Sequence, residues 1–298
     1  MKKSGDKKMS KLIAIDLDGT LLNSFGEIST KNKEKLIEAH EKGAEVVLAS
    51  GRTTESILNF ATELGICNYL ISGNGAIVYD IKKQKILTNK FMKKNRLLEV
   101  IKTCEESGIY YNIYTEEAVI TKSLKYNTLF YSKENEKKSD DKKTKIEIIE
   151  DIYKYVEERE KCDYTKVTIC AESFEMFSNV IEKLKEIKNV EVLDVSRMTK
   201  KIIKCGDDEI KLEYFYTEIS NENVNKWTAI EYLMKMLNID KKDVIAIGDN
   251  INDKEMLSHA EVGVATGNSN PEIKKIAKLV VADNNSDGVS EAVEKILV

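Results

Sequence analysis

Residues 11–22 read KLIAIDLDGTLL, an apolar run that ends in two aspartates, Asp16 and Asp18, followed by Gly19. The segment LIAIDL has the branched aliphatic composition of a buried strand, and the glycine behind the acids indicates a turn. A buried strand end is an unfavourable place for two negative charges unless another group compensates them. The segment therefore predicts a strand whose carboxyl end carries a functional pair of acids.

Outward from this segment, short apolar runs alternate with stretches of helical periodicity at both ends of the chain. This alternation is typical of βα units built around a largely parallel sheet. We therefore predict an α/β fold whose core is a Rossmann-like, three-layer arrangement with a parallel sheet. The predicted strands of this core are LIAIDL, AEVVLAS, NYLIS, DVIAIG and VGVAT.

The middle of the chain has a different order of predicted elements, because its strands often follow one another without an intervening helix. Segments such as GIYYNIYTEEAVITK and YTKVTICAE read as strands, and helices are expected at 95–107, 145–160 and 173–187. The charge run at 132–145 is expected to be a solvated loop. These features predict an inserted α+β module at residues 90–216, with core segments 1–89 and 217–298 on either side.

Composition excludes several classes of protein. The chain has 298 residues, of which 42% are apolar, and its 47 basic and 51 acidic residues give a net charge of −4. A nucleic-acid binder would normally carry a basic excess. Five cysteines without a CxxC pair, and no apolar run long enough for a bilayer, favour a cytoplasmic protein with reduced thiols. We expect no nucleic-acid or membrane partner, and a monomer or weak homodimer.

Two more polar clusters follow predicted strands. Ser50, Gly51 and Arg52 come directly after AEVVLA, and a second cluster follows DVIAI. Each cluster alone could be a turn or a helix cap, but ligands of open α/β sheets bind outside the carboxyl ends of the strands. All three clusters in order, each behind an apolar strand, predict one shared site. The second cluster consists of Gly248, Asp249, Asn252 and Asp253.

The residue types at this site point to a metal and a phosphate. Asp16 and Asp249 offer hard oxygen ligands, which suit Mg²⁺, and a bound cation explains why carboxylates can crowd together. A serine hydroxyl, turn amides and a lysine are donors suited to a phosphate group. A carboxylate that attacks phosphorus forms an aspartyl-phosphate, and the neighbouring Asp18 can move the protons.

Four segments resemble the motifs of the haloacid dehalogenase superfamily of phosphatases: IDLDGTLL, ASGR, NKWTAIEYL and IGDNINDKEML. Two others, GNGAIVYD and VGVATGNSNPEIKKIAKLVVADNNSDGVSEAVEKI, resemble its Cof-type, sugar-phosphatase-like branch. The similarity covers roughly residues 12–80 and 224–296. In that family a type IIB α/β cap is inserted between the second and third motifs, which is where the α+β module lies here.

The resemblance implies a role for each matching residue. Asp16 would be the nucleophile and a Mg²⁺ ligand, and Asp18 the general acid/base and a ligand through its carbonyl. Ser50 and Lys226 would hold the transferring phosphoryl group, and Arg52 would contact phosphate or pair with a nearby acid. Trp227 stands where the family usually has glycine. The remaining implied metal ligands are Asp249 and Asp253, and the remaining implied substrate contacts are Thr20, Gly51, Asn74 and Asn252.

These inferences predict a Mg²⁺-dependent phosphatase that hydrolyses a small organic phosphomonoester, such as a sugar phosphate, through an aspartyl-phosphate. The core motifs hold the phosphate that all such esters share, so the inserted module is expected to select the leaving group. One alternative is a phosphomutase, which returns the phosphoryl group to a sugar. Another is a phosphoryl-accepting receiver or binding protein, against which Asp18 argues because a built-in base shortens the life of a phosphoaspartate.

Overall fold

The computed structural model describes residues 11–136, 143–193, 198–205 and 208–297. The chain forms two compact units. The first comprises Met1–Arg52, Ile57–Thr88 and Asn225–Val298, and the second comprises Thr53–Ser56 and Asn89–Val224. Within the described ranges, every helix is too short or too polar to cross a membrane.

The first unit is built on one mixed sheet. Its strand order is β15-β14-β13-β1-β2-β3-β4-β5, and the neighbours from β15 to β3 run parallel while β4 is antiparallel to β3. The strand β1 lies in the middle, between β2 and β13, as the clustering of polar residues predicted. The strands are β1 (Lys11–Ile15), β2 (Ala44–Ala49), β3 (Tyr69–Ser72), β4 (Ile77–Asp80), β5 (Lys85–Asn89), β13 (Val244–Gly248), β14 (Val262–Ala265) and β15 (Leu279–Val280).

Helices cover both faces of this sheet, which is why its central strands are largely apolar. Ile13 and Ile15 point into a core that α1, α2 and α10 complete on one face. Leu12 and Ala14 point into a second core, completed by α7, α8 and α9 on the other face. The predicted α/β fold with a three-layer core is confirmed. The helices are α1 (Thr30–Glu41), α2 (Thr54–Leu64), α7 (Lys226–Leu237), α8 (Lys254–His259), α9 (Pro271–Ile276) and α10 (Gly288–Leu297).

The second unit has its own sheet, of order β10-β12-β9-β6-β7-β8, in which β11 also pairs with β12. Its pairings are antiparallel except for β7 with β8. One face packs on α3, α5 and α6 around a separate apolar core. The elements are α3 (Lys94–Glu106), β6 (Tyr110–Tyr114), β7 (Ala118–Thr121), α4 (Tyr126–Asn135), β8 (Lys145–Ile148), α5 (Ile152–Glu158), β9 (Lys166–Ala171), α6 (Phe174–Lys185), β10 (Val190–Val192), β11 (Met198–Cys205) and β12 (Asp208–Asn221).

Two local predictions in this unit were wrong. The helix expected at 145–160 is a strand followed by a shorter helix, because KIEI alternates as an edge strand and Asp151 caps a new helix by accepting a hydrogen bond from Lys154 N at 2.9 Å. The loop expected at 132–145 begins inside α4, which continues to Asn135. Residues 137–142 of that run lie outside the described residues.

Candidate active site

Three neighbouring parallel strands end at the same edge of the first sheet. In the register of the sheet, Ile15 of β1 lies opposite Leu48 of β2 and Ile247 of β13. The residues that follow these strands must therefore emerge side by side. Asp16, Ser50 and Asp249 do so, and Asp16 and Ser50 are almost fully buried.

Lys226 joins two of the acids at this edge. It is the first residue of α7, and its ammonium group is fully buried. The Nζ atom donates hydrogen bonds to Asp16 Oδ1 at 2.5 Å and to Asp253 Oδ1 at 2.6 Å. Burial alone would lower the pKa of Lys226, but the two carboxylates outweigh it and raise that pKa above its ordinary value. The lysine is therefore a charged clamp on the predicted nucleophile.

Asp253 is the anchor of this clamp. Its other oxygen, Oδ2, accepts hydrogen bonds from the backbone N–H groups of Asp249 and Asn250 at 2.9 and 3.0 Å. Gly248 makes the close approach possible, since a Cβ atom there would lie 2.5 Å from Asp253 Cγ. Both oxygens of Asp253 are thus engaged, and the carboxylate orients Lys226 and the loop after β13.

Asp249 is held from the DxDGT loop. Its Oδ1 accepts a hydrogen bond from Thr20 Oγ1 at 2.8 Å. Gly19, with φ of +86°, lies against the same carboxylate, and a Cβ atom at Gly19 would come within 2.6 Å of Asp249 Oδ2. The glycine of DxDGT is therefore required twice, once by its backbone conformation and once by the space that Asp249 occupies.

The three acids Asp16, Asp249 and Asp253 form a set suited to a divalent cation. Each offers a carboxylate oxygen, and these oxygens all lie within 4.8 Å of one another. Burial raises the pKa of Asp16 well above its ordinary value, with Lys226 opposing and the neighbouring acids adding to the rise. Burial and then the charge of Asp253 raise the pKa of Asp249 to about 7. Crowded, poorly solvated carboxylates of this kind fit a hard cation with oxygen ligands.

Asp18 lies apart from that cluster. Its carboxylate is largely exposed and forms a two-pronged ion pair with Arg52, with Nε 2.7 Å from Oδ2 and Nη2 2.6 Å from Oδ1. The guanidinium carbon of Arg52 lies 5.2 Å from the centre of the Phe60 ring. Of the two roles that the sequence left open for Arg52, this geometry corresponds to pairing with a nearby acid.

The other predicted substrate residues line the ends of β2 and β3. Asn74, in the left-handed conformation with φ of 57°, donates its backbone N–H to Ser50 O at 3.0 Å. Its Oδ1 accepts a hydrogen bond from Asn252 Nδ2 at 3.1 Å. Arg52 N donates to Ser50 Oγ at 3.3 Å, and the half-buried Gly51 lies between those two residues. Ser50, Asn74 and Asn252 are thus brought together, although they lie far apart in the chain.

Sequence reasoning missed two residues that shape the site. Thr266 Oγ1 and Asn268 Nδ2 donate to the carbonyl oxygen of Gly19 at 3.3 and 2.8 Å and so fix the loop that carries Asp18. The available signal was the position of Thr266 directly after β14, a parallel strand beside β13. Trp227, at the family's usual glycine position, packs into the apolar core beneath α7 and stacks on His259.

Comparison with known proteins identifies the family. The profile of the haloacid dehalogenase-like hydrolases matches residues 13–293. The phosphatase YwpJ of Bacillus subtilis is 29% identical over 303 residues, which cover 96% of this chain and all of that protein. The 5-amino-6-(5-phospho-D-ribitylamino)uracil phosphatase YcsE of the same species is 27% identical over 285 residues, covering 95% of this chain and 94% of that protein.

A solved structure of a haloacid dehalogenase-like hydrolase from B. subtilis superimposes with a TM-score of 0.77 at 26% identity, covering 96% of this chain and 99% of the other. The family predicted from the four motifs is confirmed. The chain belongs to the haloacid dehalogenase-like hydrolases, as a phosphatase of the Cof type.

Proposed function

We propose that this enzyme is a Mg²⁺-dependent phosphatase that hydrolyses a small organic phosphomonoester through an aspartyl-phosphate on Asp16. The observation that carries the proposal is the environment of Asp16. It is a buried carboxylate at a strand end, clamped by a buried lysine and surrounded by further acids. A structural role would not require so costly an assembly of charge.

Asp16 and Asp249 would hold the metal, together with the backbone carbonyl of Asp18, and Asp253 would orient the site through Lys226. When bound, Mg²⁺ supplies positive charge that offsets the crowded carboxylates and the phosphate oxygens. The donor set supports this assignment, since every candidate ligand is oxygen and no sulfur or imidazole ligand belongs to the described cluster.

In the first half of the reaction, a carboxylate oxygen of Asp16 forms a bond to phosphorus while the bond from phosphorus to the ester oxygen breaks. Lys226 holds Oδ1, so we assign the attack to Oδ2. Asp18 gives its proton to the departing ester oxygen, and an alcohol leaves. Ser50 and Lys226 donate to the transferring group and hold it in line.

In the second half, Asp18, now a carboxylate, takes a proton from a water molecule. The water oxygen bonds to phosphorus, and the bond between phosphorus and Asp16 breaks. Inorganic phosphate leaves, Asp16 is restored as a carboxylate, and Asp18 is again protonated. The two aspartates of DxDGT therefore have separate roles, one as nucleophile and one as proton carrier.

The substrate class is a phosphoester of a small polar alcohol. The relative YcsE acts on a phosphate carried by a ribityl chain, according to its name, and this supports a hydroxyl-rich leaving group here. The residues that would select this group belong, in our proposal, to the inserted module at 90–216, since the core residues recognise the phosphate itself.

The test is phosphate release from a panel of sugar, nucleotide and cofactor phosphates, with Mg²⁺, with Ca²⁺ and with EDTA. We expect turnover with Mg²⁺, loss of turnover in EDTA and little turnover with Ca²⁺, which takes more ligands at longer distances.

Asp16→Asn should abolish turnover without unfolding the protein. The matched control is Asp80→Asn, which changes another largely buried acid at a strand end of the same sheet. Full activity in EDTA, or in Asp16→Asn, would refute the mechanism, and a stable phosphoprotein without phosphate release would favour a receiver.

A further inference from the structure

We propose that Arg52 is a positioning residue for the acid/base Asp18, which it holds in a single orientation, rather than a ligand of the phosphoryl group. The inference rests on the proposed phosphatase function and deepens it. It starts from an asymmetry between the two aspartates. Asp16 is buried and clamped, whereas the side chain of Asp18 is 58% exposed on a loop and needs a separate device to fix it.

The geometry of the pair supplies that device. The Nε and Nη2 atoms of Arg52 reach different oxygens of Asp18, at 2.7 and 2.6 Å. A two-pronged contact defines the plane and direction of a carboxylate, which a single hydrogen bond does not. A carboxylate oxygen has two lone pairs, so an oxygen that accepts a hydrogen bond from Arg52 can also hold or accept a proton.

Arg52 is itself held in place along its length. Its backbone N–H donates to Ser50 Oγ at 3.3 Å, and its carbonyl accepts from Gly73 N at 3.0 Å. Its guanidinium carbon lies 5.2 Å from the centre of the Phe60 ring, within the range of a cation–π contact. The side chain is only 22% exposed. An arginine fixed at both ends is suited to orient another group.

The experiment separates this role from phosphate binding through the leaving group. Proton donation matters most when the alcohol is a poor leaving group and little when it is a good one. We would measure kcat/KM for a series running from p-nitrophenyl phosphate through phenyl phosphate to alkyl phosphates. For Arg52→Gln we expect a loss of about 10- to 100-fold on the alkyl esters and about threefold on p-nitrophenyl phosphate.

A second variant and a control sharpen the result. Asp18→Asn should show the same dependence of kcat/KM on the leaving group. The double variant Asp18→Asn/Arg52→Gln should lose less than about twofold more kcat/KM than Asp18→Asn alone, since both changes act through one group. Phe60→Leu, which removes the ring but keeps apolar volume, should give the same pattern at about two- to fivefold. The control Lys42→Gln removes an exposed ion pair with Glu38 in the first unit, away from the residues assigned to catalysis, and should leave the series unchanged.

A further readout is the phospho-enzyme. Because Asp18 also activates water, Arg52→Gln should release a burst of about one p-nitrophenol per active site before a slower steady state. Arg52→Lys keeps the charge but cannot make the two-pronged contact. Its kcat/KM should therefore depend on the leaving group more steeply than that of the wild type, as for Arg52→Gln. The proposal would be overturned if Arg52→Gln lowered kcat/KM equally for all esters and if its loss multiplied with that of Asp18→Asn in the double variant. A wild-type protein that releases phosphate from no ester would overturn the proposed function itself, and this inference with it.

Discussion

At the scale of the residue, Lys226 decides whether the site can exist. It lies fully buried between Asp16 and Asp253, so three charged groups with almost no exposure to solvent lie in contact with one another. Removing charges from water is expensive, and the set is tolerable only while each charge has partners. Loss of the cation would leave two carboxylates facing one another.

We therefore expect Lys226→Met to lower the free energy of unfolding by about 3–5 kcal/mol in the absence of metal. The decrease in the free energy of unfolding should be larger at pH 8 than at pH 5, because the carboxylates of Asp16 and Asp253, left without the lysine, can take up protons at the lower pH. Urea unfolding followed by circular dichroism measures the difference.

The control for that variant is Lys42→Met, which removes a lysine that is 58% exposed from an ion pair with Glu38, which is itself 44% exposed. We expect a change below about 1 kcal/mol, as for other exposed ion pairs. Equal losses in the two variants would contradict the special position of Lys226.

The raised pKa values of Asp16 and Asp249 give the metal-free protein a characteristic pH dependence. From about pH 4 to about pH 7, the folded protein holds protons that the unfolded chain has released. The free energy of unfolding therefore falls as pH rises through this window, by about 1.4 kcal/mol per pH unit for each extra proton held. Mg²⁺ replaces those protons, so it should stabilise the protein more at pH 8 than at pH 6.

Thermal melts in EDTA and in Mg²⁺ across this range test that prediction. We expect a lower Tm at pH 8 than at pH 6 in EDTA, and a larger rise on adding Mg²⁺ at pH 8. A Mg²⁺ effect that is independent of pH would contradict the assignment of these carboxylates as the ligands.

At the scale of the element, the N-terminus of α7 is what places Lys226. The side chain of Asn225 caps the helix by accepting a hydrogen bond from Thr228 N at 2.9 Å. A cation at the first helical position is opposed by the helix dipole, so the lysine depends on the two acids and on the cap to stay there. The cap is therefore part of the geometry of the site as well as of the helix.

We expect Asn225→Ala to cost about 1 kcal/mol of stability and to lower kcat about 3- to 10-fold, since small misplacements near a reacting group slow the reaction. The matched control is Ser173→Ala, which removes the same kind of cap from α6, where the Ser173 side chain accepts from Met176 N. That variant should lose similar stability without the loss of kcat. Equal kinetic effects would show that the cap of α7 has no special part in catalysis.

At the scale of the whole molecule, each of the two units has its own apolar core. The predicted nucleophile, acid/base, lysine and metal ligands all belong to the first unit. Our proposal leaves the second unit with the choice of leaving group, because every phosphomonoester presents the same phosphate.

We expect that replacing Asn89–Val224 with a short linker leaves measurable hydrolysis of p-nitrophenyl phosphate while flattening the preference among natural phosphates. Steady-state kinetics on the same panel of esters provide the measurement, after circular dichroism has shown that the remaining unit is folded. A folded truncation that keeps the substrate ranking of the full chain would exclude the module from specificity.

Much of this protein could be predicted from short-range patterns. The central strands of the first unit, β1, β2 and β13, are buried on both faces, so they appear in the sequence as largely apolar runs, and their parallel order places their carboxyl ends at one edge. That was enough to predict the α/β core and the residues that gather at the edge, whereas the family was predicted from the resemblance of four motifs. The segment KIEI was mistaken for helix because four residues of alternating polarity are a weak signal for a strand. Its pairing with β7, which is a tertiary contact, is what makes it a strand.

The sequence by itself determined where the central strands end and which polar residues follow them, because an apolar run and the turn behind it depend on local composition. The strand order β13-β1-β2 then brings those residues to one edge. Tertiary structure alone decided how they pair. Lys226 lies 210 positions from Asp16 and 27 from Asp253, and Arg52 lies 34 from Asp18. The carboxylate oxygens that Lys226 and Arg52 reach depend on the packing of α7 and on the ring of Phe60. A sequence pattern does not specify these contacts, because it gives the position of a residue in the chain but not the direction of its side chain.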